Sequence, residues 1–271
     1  ELRRRNLVSP DMMPYRNAVG MTYDSGEYAV SMDMVMVLAD WKGFSNRKAE
    51  AEARGKLLGR GFANYVESSI GTPREQAEIH VCDDGHIDLV VGTQPSGQGH
   101  ETSFAQVAAE WLGVPVEKIT VIVGDTDIVK VGGGSHSGRS MRMAGTVIVK
   151  AADRLIETGK RLAAFILEAA EADIKFDAGI FSIYGTDRSI GLFELAGVLS
   201  TRSDLPETMQ GGLSVVEDNI METPVFPNGC HICEIEVDPD SGAYDIVRYV
   251  TVDDVGRAIN PLIVDGQTHG G

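Results

Sequence analysis

The sequence predicts an α+β fold of mixed sheets with packed helices, on three observations. Strand-like stretches meet at turn signals: Ala77–Cys82 and His86–Val91 alternate around Asp83-Asp84-Gly85, and His231–Val237 faces Ala243–Val252 across Asp238-Pro239-Asp240-Ser241-Gly242. Two segments carry a helical period. Phe104, Val107, Ala108, Trp111 and Leu112 mark one face, and Ile148, Ala151, Ala152, Leu155, Leu162, Ile166 and Ala170 mark a longer one. The two kinds of segment mix without a sustained βαβ repeat, which favours α+β over a doubly wound sheet.

In order, Pro10, Pro14, Gly20 and Gly26 punctuate an irregular opening. Met32, Val35, Met36 and Leu38 predict a short helix, and the charged, alanine-rich run Asn46–Leu58 a solvated amphipathic one. Gly59–Val66 reads as a strand. The polar connection Ser68–Gln76 is the expected internal boundary, giving subdomains 1–75 and 76–271. Beyond the hairpin and its helix come a strand at Thr120–Gly124, a second glycine-rich loop and the long helix. A hairpin around Ala178-Gly179, a helix at Leu192–Leu199 and a strand at Gly212–Glu217 precede the β-rich end.

A chain of 271 residues can bury a sizeable core. Its net charge of −16 argues against nucleic acid, whose phosphates demand Lys and Arg. No run of about twenty apolar residues is present to span a bilayer. Three cysteines form no disulfide framework, so a reducing, cytoplasmic setting is expected. In Cys230-His231-Ile232-Cys233 alternation places Cys233 inward with Ile235 and Val237, and Cys230 outward with Ile232. With no second cysteine pair, no metal is expected there.

The candidate site lies in the two glycine-rich loops. Gly92–Gly99 joins a strand to a helix; Gly97 and Gly99 allow sharp turns, and the first amides of the helix lack intrahelical partners. Such an end attracts anions, and the Gln98 amide both donates and accepts. Gly132–Ser140 repeats the arrangement before the long helix, adding the hydroxyls of Ser135, Ser137 and Ser140 and an Arg139 fork able to grip phosphate. His100 and His136 each stand in one loop. Together the loops suit the two ends of one extended phosphorylated ligand. Neither a third glycine nor a Gly-Lys-Ser/Thr follows, which lowers ordinary NAD or ATP binding. Of the acidic pairs, Asp83-Asp84 is read as a solvated turn, while Asp254 leads toward the glycine-rich terminus.

Gly97-Gln98-Gly99-His100-Glu101-Thr102 with Gln106 and Leu112-Gly113, Val123-Gly124-Asp125-Thr126, Gly138-Arg139-Ser140, Asp254 to Pro261 and Gly266 to Gly271 resemble the cofactor-binding part of the molybdenum hydroxylases. The likeness extends over the whole chain and is strongest to large subunits of the aerobic carbon monoxide dehydrogenase type. It implies a molybdopterin dinucleotide, in bacteria the cytosine form, whose metal is ligated by the pterin and not by protein.

By the match, Gly97, Gln98, Gly99, His100 and Glu101 bind the cofactor, with Gln98 near the molybdenum end or the pterin. Ser137, Gly138, Arg139 and Ser140 hold phosphates and nucleotide, and Asp254, Asn260 and Gln267 complete the set. Ser137-Gly138-Arg139 stands where the family has Gly-Ser-Arg. The family's catalytic glutamate lies beyond Gly271, so no catalytic residue is expected here, and the copper-bearing cysteine of carbon monoxide dehydrogenases lies upstream. The resemblance therefore implies a central piece of a large subunit, empty and inactive alone. Its parent would oxidise a small substrate with oxygen from water and pass electrons to iron–sulfur and FAD subunits, in a dimer of heterotrimers. The competing expectation is a non-catalytic nucleotide- or polyphosphate-binding module.

Overall fold

The computed structural model describes residues 1–271 apart from the side chain of Thr208. The chain begins with α1 (Leu2–Arg5), β1 (Tyr15–Arg16), β2 (Thr22–Tyr23), α2 (Tyr28–Leu38), α3 (Phe44–Ala53) and β3 (Leu57–Val66). Next come β4 (Arg74–Val81), β5 (Ile87–Val91), α4 (His100–Leu112), β6 (Ile119–Ile122) and α5 (Ser140–Ile166). They are followed by β7 (Ile174–Asp177), β8 (Ile180–Ile183), β9 (Ser189–Gly191), α6 (Leu192–Thr201) and β10 (Ser214–Ile220). The last elements are β11 (Asn228–Val237), β12 (Tyr244–Asp254) and α7 (Pro261–Gly270). Helices and mixed sheets make this the α+β class expected.

These elements form two compact units, Glu1–Ser69 with Pro224–Arg257, and Ile70–Thr223 with Ala258–Gly271. The sequence reading placed a single boundary at 75/76, whereas the chain passes between units at 69/70, 223/224 and 257/258. It must return for β11, the middle strand of its sheet, which pairs antiparallel with both β3 and β12.

In the first unit α2 packs on β11, and Met32, Val35, Ala39, Cys230 and Ile232 form the core. This reverses the expected faces of the Cys-x-x-Cys strand: Cys230 and Ile232 are buried and Cys233 only half-buried. Both faces of the strand carry apolar residues, so alternation alone could not choose between them. Glu234, on the Cys230 face, argues for solvent there, yet it is buried against Arg47, whose Nη2 donates to Oε1 at 2.6 Å and Nε to Oε2 at 2.9 Å. Burial pushes the Cys230 thiol up to about 11, leaving it protonated and inert near neutrality.

The second unit is built on a sheet of order β10-β4-β5-β6. Strand β4 pairs antiparallel with β10 and β5, while β6 runs parallel to β5 through the crossover helix α4. This is a single βαβ unit, consistent with the absence of a sustained repeat. Helix α5 lies across β4 and β10 and against α4, burying Val147, Ile148, Ala151, Ala152, Leu155 and Leu162. On α4 the buried apolar set is Phe104, Ala105, Ala108, Ala109 and Leu112. Trp111, expected inward, is 46% exposed and donates its indole N–H to Asp153 at 2.7 Å. The small residues beside Ala108 let α5 approach closely, and the bulky indole borders that contact rather than filling it. A smaller sheet, β7-β8-β9, places Phe181 against Gly159 of α5, where a Cβ would lie 2.2 Å from the ring.

Candidate functional site

Because β5 and β6 are parallel neighbours (Ile87 opposite Ile119, Val90 opposite Ile122), the loops that leave them emerge at the same edge of the sheet. Ligands of α/β units collect at this carboxyl edge, where helix N-termini converge. The loop after β5 leads into α4, and the loop after β6 leads into α5. They touch backbone to backbone: a Cβ on Gly92 would lie 2.1 Å from Cα of Gly132. Each helix follows residues in the left-handed region, Gly97 (φ 107°) and Gly99 (φ 68°) before α4, Ser137 (φ 49°) and Gly138 (φ 62°) before α5. Neither helix has a side-chain cap, so their first amides face the loops. The first turn of α4 contains Glu101, and that of α5 contains no acid. The positive end of the α5 dipole is thus the less neutralised of the two.

The structure corrects the role expected for Arg139. Its side chain is fully buried, and all five guanidinium N–H groups are engaged inside the chain. Nε donates to Thr72 O (2.9 Å), Nη1 to Thr93 Oγ1 (3.3 Å) and Gly134 O (2.5 Å), and Nη2 to Arg74 O (3.0 Å) and Glu75 Oε2 (2.8 Å). Glu75, equally buried, also accepts from Thr93 Oγ1 (2.6 Å) and from the Gly133 amide (3.3 Å). The fork therefore ties together the start of β4, the residue Thr72 just before it and both glycine loops, and has no donor left for a phosphate. Sequence reasoning missed Glu75 and Thr93, because Glu75 lies in a stretch read as a polar connection and nothing local signals a partner 64 residues away.

The remaining predicted residues divide into three groups. Gln98, half-buried, accepts the Ser96 amide on its own Oε1. Gln267 Nε2 donates to Gly97 O at 3.4 Å, Asn260 Nδ2 to Gln106 Oε1 at 3.0 Å, and Ile263 packs on Gly99. Asn260 also caps α7, its Oδ1 accepting from the Ile263 amide at 3.1 Å, so α7 fixes Gln267 beside the first loop. In the second loop the Oγ atoms of Ser135 and Ser140 lie 2.8 Å apart, and His136 Nδ1 is 3.1 Å from Ser137 Oγ. Asp254 belongs to the other unit: it ends β12 and accepts the Gly256 amide at 3.0 Å.

His100 is buried, its ring stacked on Phe104 at 4.9 Å, and its Nδ1 has no partner. Burial holds the imidazole below its ordinary value, the charge of Glu101 opposing. A depressed histidine stabilises the fold above its unfolded pKa, and that contribution is lost as pH falls through the folded value. Acidification from about pH 7.5 to about pH 5.5 should therefore lower the urea midpoint of the wild type more than that of His100→Gln. Equal slopes would show that His100 does not carry the effect.

A cleft of about 550 Å³, lined among others by His80, Leu199, Arg202 and Leu213, includes no residue of either glycine loop. No helix among the described residues is long and apolar enough to cross a membrane.

The family model described as a molybdopterin cofactor-binding domain matches residues 34–271. The chain belongs to this family. Across its full length this molybdopterin-binding chain is 31% identical to the carbon monoxide dehydrogenase large chain of Afipia carboxidovorans, covering 36% of that protein. It is 32% identical to the nicotine 6-hydroxylase large subunit of Paenarthrobacter nicotinovorans, again over all of this chain and 35% of the relative. Among solved structures it is similar to quinoline 2-oxidoreductase from Pseudomonas putida 86, with a TM-score of 0.86 and 31% identity over 99% of this chain and 36% of that one. The chain thus spans about a third of the length of the curated relatives it matches. The loops fit such a group: both helix starts are uncapped, Gly97 and Gly134 have open space where a Cβ would stand, and the neighbouring hydroxyls and amides are donors suited to a dinucleotide.

Proposed function

We propose that this chain holds the pterin and phosphates of a molybdopterin dinucleotide, in the cytosine form, within the large subunit of a molybdenum hydroxylase. The observation that carries the reading is the pairing of two glycine loops at one sheet edge, each opening an uncapped helix, with their backbones in contact. Charge favours one orientation of that ligand. Phosphates favour Ser137, Gly138 and Ser140 at the start of α5, whose first turn contains no acidic residue and where the buried Glu75 is neutralised by Arg139. The start of α4, with Glu101 in its first turn, suits the uncharged pterin, whose amide edge matches the donor and acceptor of Gln98 and the amide of Gln267. Arg139 and Glu75 act one step back, by fixing the shape of both loops.

The cofactor, when bound, supplies the redox chemistry; the protein orients it and shields it from water. The parent would oxidise a small molecule with water as oxygen source, using a glutamate base outside this stretch, and deliver electrons to iron–sulfur and FAD subunits in a cytoplasmic dimer of heterotrimers. The relatives act, by their names, on carbon monoxide and on nicotine, which supports a small substrate and does not choose among them.

The test is molybdenum analysis of the purified protein, together with the fluorescent pterin oxidation product and CMP released by acid hydrolysis. Gln98→Ala should lower molybdenum occupancy by up to about tenfold when cofactor is limiting, as expected for one or two lost hydrogen bonds. Unchanged molybdenum content in the variant would remove Gln98 from the site. Metal-free protein that binds simple nucleotides tightly would replace this reading with the nucleotide-binding module.

A further inference from the structure

The tip of the β4–β5 hairpin carries metal-ligating side chains at alternate positions: Cys82, Asp84, His86 and Asp88. As a turn its Asp-Asp-Gly stretch needs no function, and the sequence shows nothing more. Folding brings different donor types together. Cys82 and His86 are joined across the hairpin, the Cys82 amide donating to His86 O at 2.9 Å and Gly85 N to Cys82 O at 3.2 Å. Gly85, at φ 88°, makes the bend that returns the chain. Residues two apart on a strand share a face. Ile79, Val81, Ile87 and Leu89 take the buried face, which leaves Cys82, His86 and Asp88 on the other.

On that face a sulfur of Cys82, a carboxylate oxygen of Asp84 and a ring nitrogen of His86 all lie within 4.8 Å of one another. The far ring nitrogen of His86, Nε2, is 3.4 Å from Asp88 Oδ1, and the other oxygen of Asp88 is 3.9 Å from Cys82 Sγ. Asp83, Asp84 and Asp88 concentrate negative charge at the tip. Among the described residues no Lys or Arg pairs with any of them, although Lys118 approaches Gly85.

We propose that Cys82, Asp84 and His86 form a site for a zinc-class divalent cation, with Asp88 as the carboxylate that orients the histidine. Mixed sulfur, nitrogen and oxygen donors select a borderline ion such as Zn²⁺ over Mg²⁺ or Ca²⁺, which prefer oxygen alone. Zn²⁺ bonds of about 2.0–2.3 Å separate tetrahedral ligands by about 3.3–3.8 Å, so His86 Nδ1 and Asp84 Oδ1, now 2.5 Å apart, must part to admit the ion, with Cys82 already within 4.8 Å of both. His86 then ligates through Nδ1 and donates Nε2–H to Asp88, the carboxylate–histidine–metal relation that fixes tautomer and ring angle. Three protein ligands leave the fourth position to water. The site is independent of the cofactor reading: it uses neither glycine loop.

The experiment strips the purified protein with EDTA, then titrates it with Zn²⁺ against a chromophoric competitor and, separately, with Co²⁺. One equivalent of each should bind, and the Co²⁺ adduct should show a thiolate-to-cobalt charge-transfer band with tetrahedral d–d absorption. Cys82→Ser should abolish that band and weaken Zn²⁺ at least about tenfold, and Asp88→Asn should keep the band while weakening Zn²⁺ about tenfold. Cys233→Ser should change neither. Should Cys82→Ser fail to fold by circular dichroism, His86→Gln provides the same test through loss of stoichiometric binding. Absence of one-to-one binding in the wild type, or a charge-transfer band that persists in Cys82→Ser, overturns the proposal.

Discussion

Arg139→Met should lower the stability of the second unit by about 3–5 kcal/mol, because it leaves the Glu75 carboxylate buried without its cationic partner. The arginine also satisfies the carbonyls of Thr72, Arg74 and Gly134, and an apolar side chain satisfies none of them. Adding Glu75→Gln should recover part of the loss, since the buried charge is then gone, and the double variant should be less damaged than the two single effects summed. The protein has two tryptophans, Trp41 in the first unit and Trp111 in the second, so denaturation followed by fluorescence in a Trp41→Phe background reports on the relevant unit. A loss below about 1 kcal/mol would mean that water or a neighbouring group readily replaces the pair. The same variant separates the two roles considered for Arg139. A direct phosphate ligand would reduce cofactor retention with little effect on the fold, whereas a clamp loses both together.

Gly92→Ala should be the second large effect, from a different cause. The added methyl would lie 2.1 Å from Cα of Gly132 and 2.4 Å from the carbonyl oxygen of Val131. Both obstacles are backbone, so no rotamer change relieves them and the two loops must separate. Overpacking of this kind costs about 1–3 kcal/mol, and here it should also lower molybdenum occupancy by moving one helix start away from the other. Gly97→Ala is the informative control. Its φ of 107° strains any side chain, but nothing stands within 4 Å of the new methyl, so the damage should stay local and the loops remain in contact. Equal molybdenum content in Gly92→Ala and wild type would show that loop contact is not what positions the cofactor.

What could be read in advance follows from the range of each signal. The hairpins at Asp83–Gly85 and Asp238–Gly242 and the stripe of α5 announce themselves within a few residues, through turn chemistry and period, and the structure has them where expected, except that α5 ends at Ile166 and Ala170 lies exposed beyond it. The two glycine loops were visible as loops, but their contact at Gly92 and Gly132 depends on β5 and β6 being parallel neighbours, which no local pattern states. The inward face of β11 was not legible because both faces carry apolar residues, and the buried one also holds Glu234, which only Arg47 makes tolerable there. Arg139 was misread for the mirror reason: an arginine in a glycine-rich loop suggests an external anion, and its actual partner was an internal carboxylate. In both cases burial of a charge was decided by a distant residue.

The placement of β11 between β3 and β12 also has a temporal side. Val66 at the end of β3 leaves the ribosome 162 residues before Asn228, its partner across the ladder. At about 5–20 residues per second, β3 must wait roughly 10–30 s for the strand that completes its hydrogen bonding. Through that interval the nascent chain displays an unsatisfied strand edge and the apolar side of α2, the conditions under which chaperones are recruited and intermolecular pairing competes. Pairing across so long a separation makes closure of this sheet a slow, late event in biogenesis. Slowing translation between Val66 and Asn228 would lengthen the vulnerable period, while the second unit's sheet, β10-β4-β5-β6, is complete before Asn228 is made.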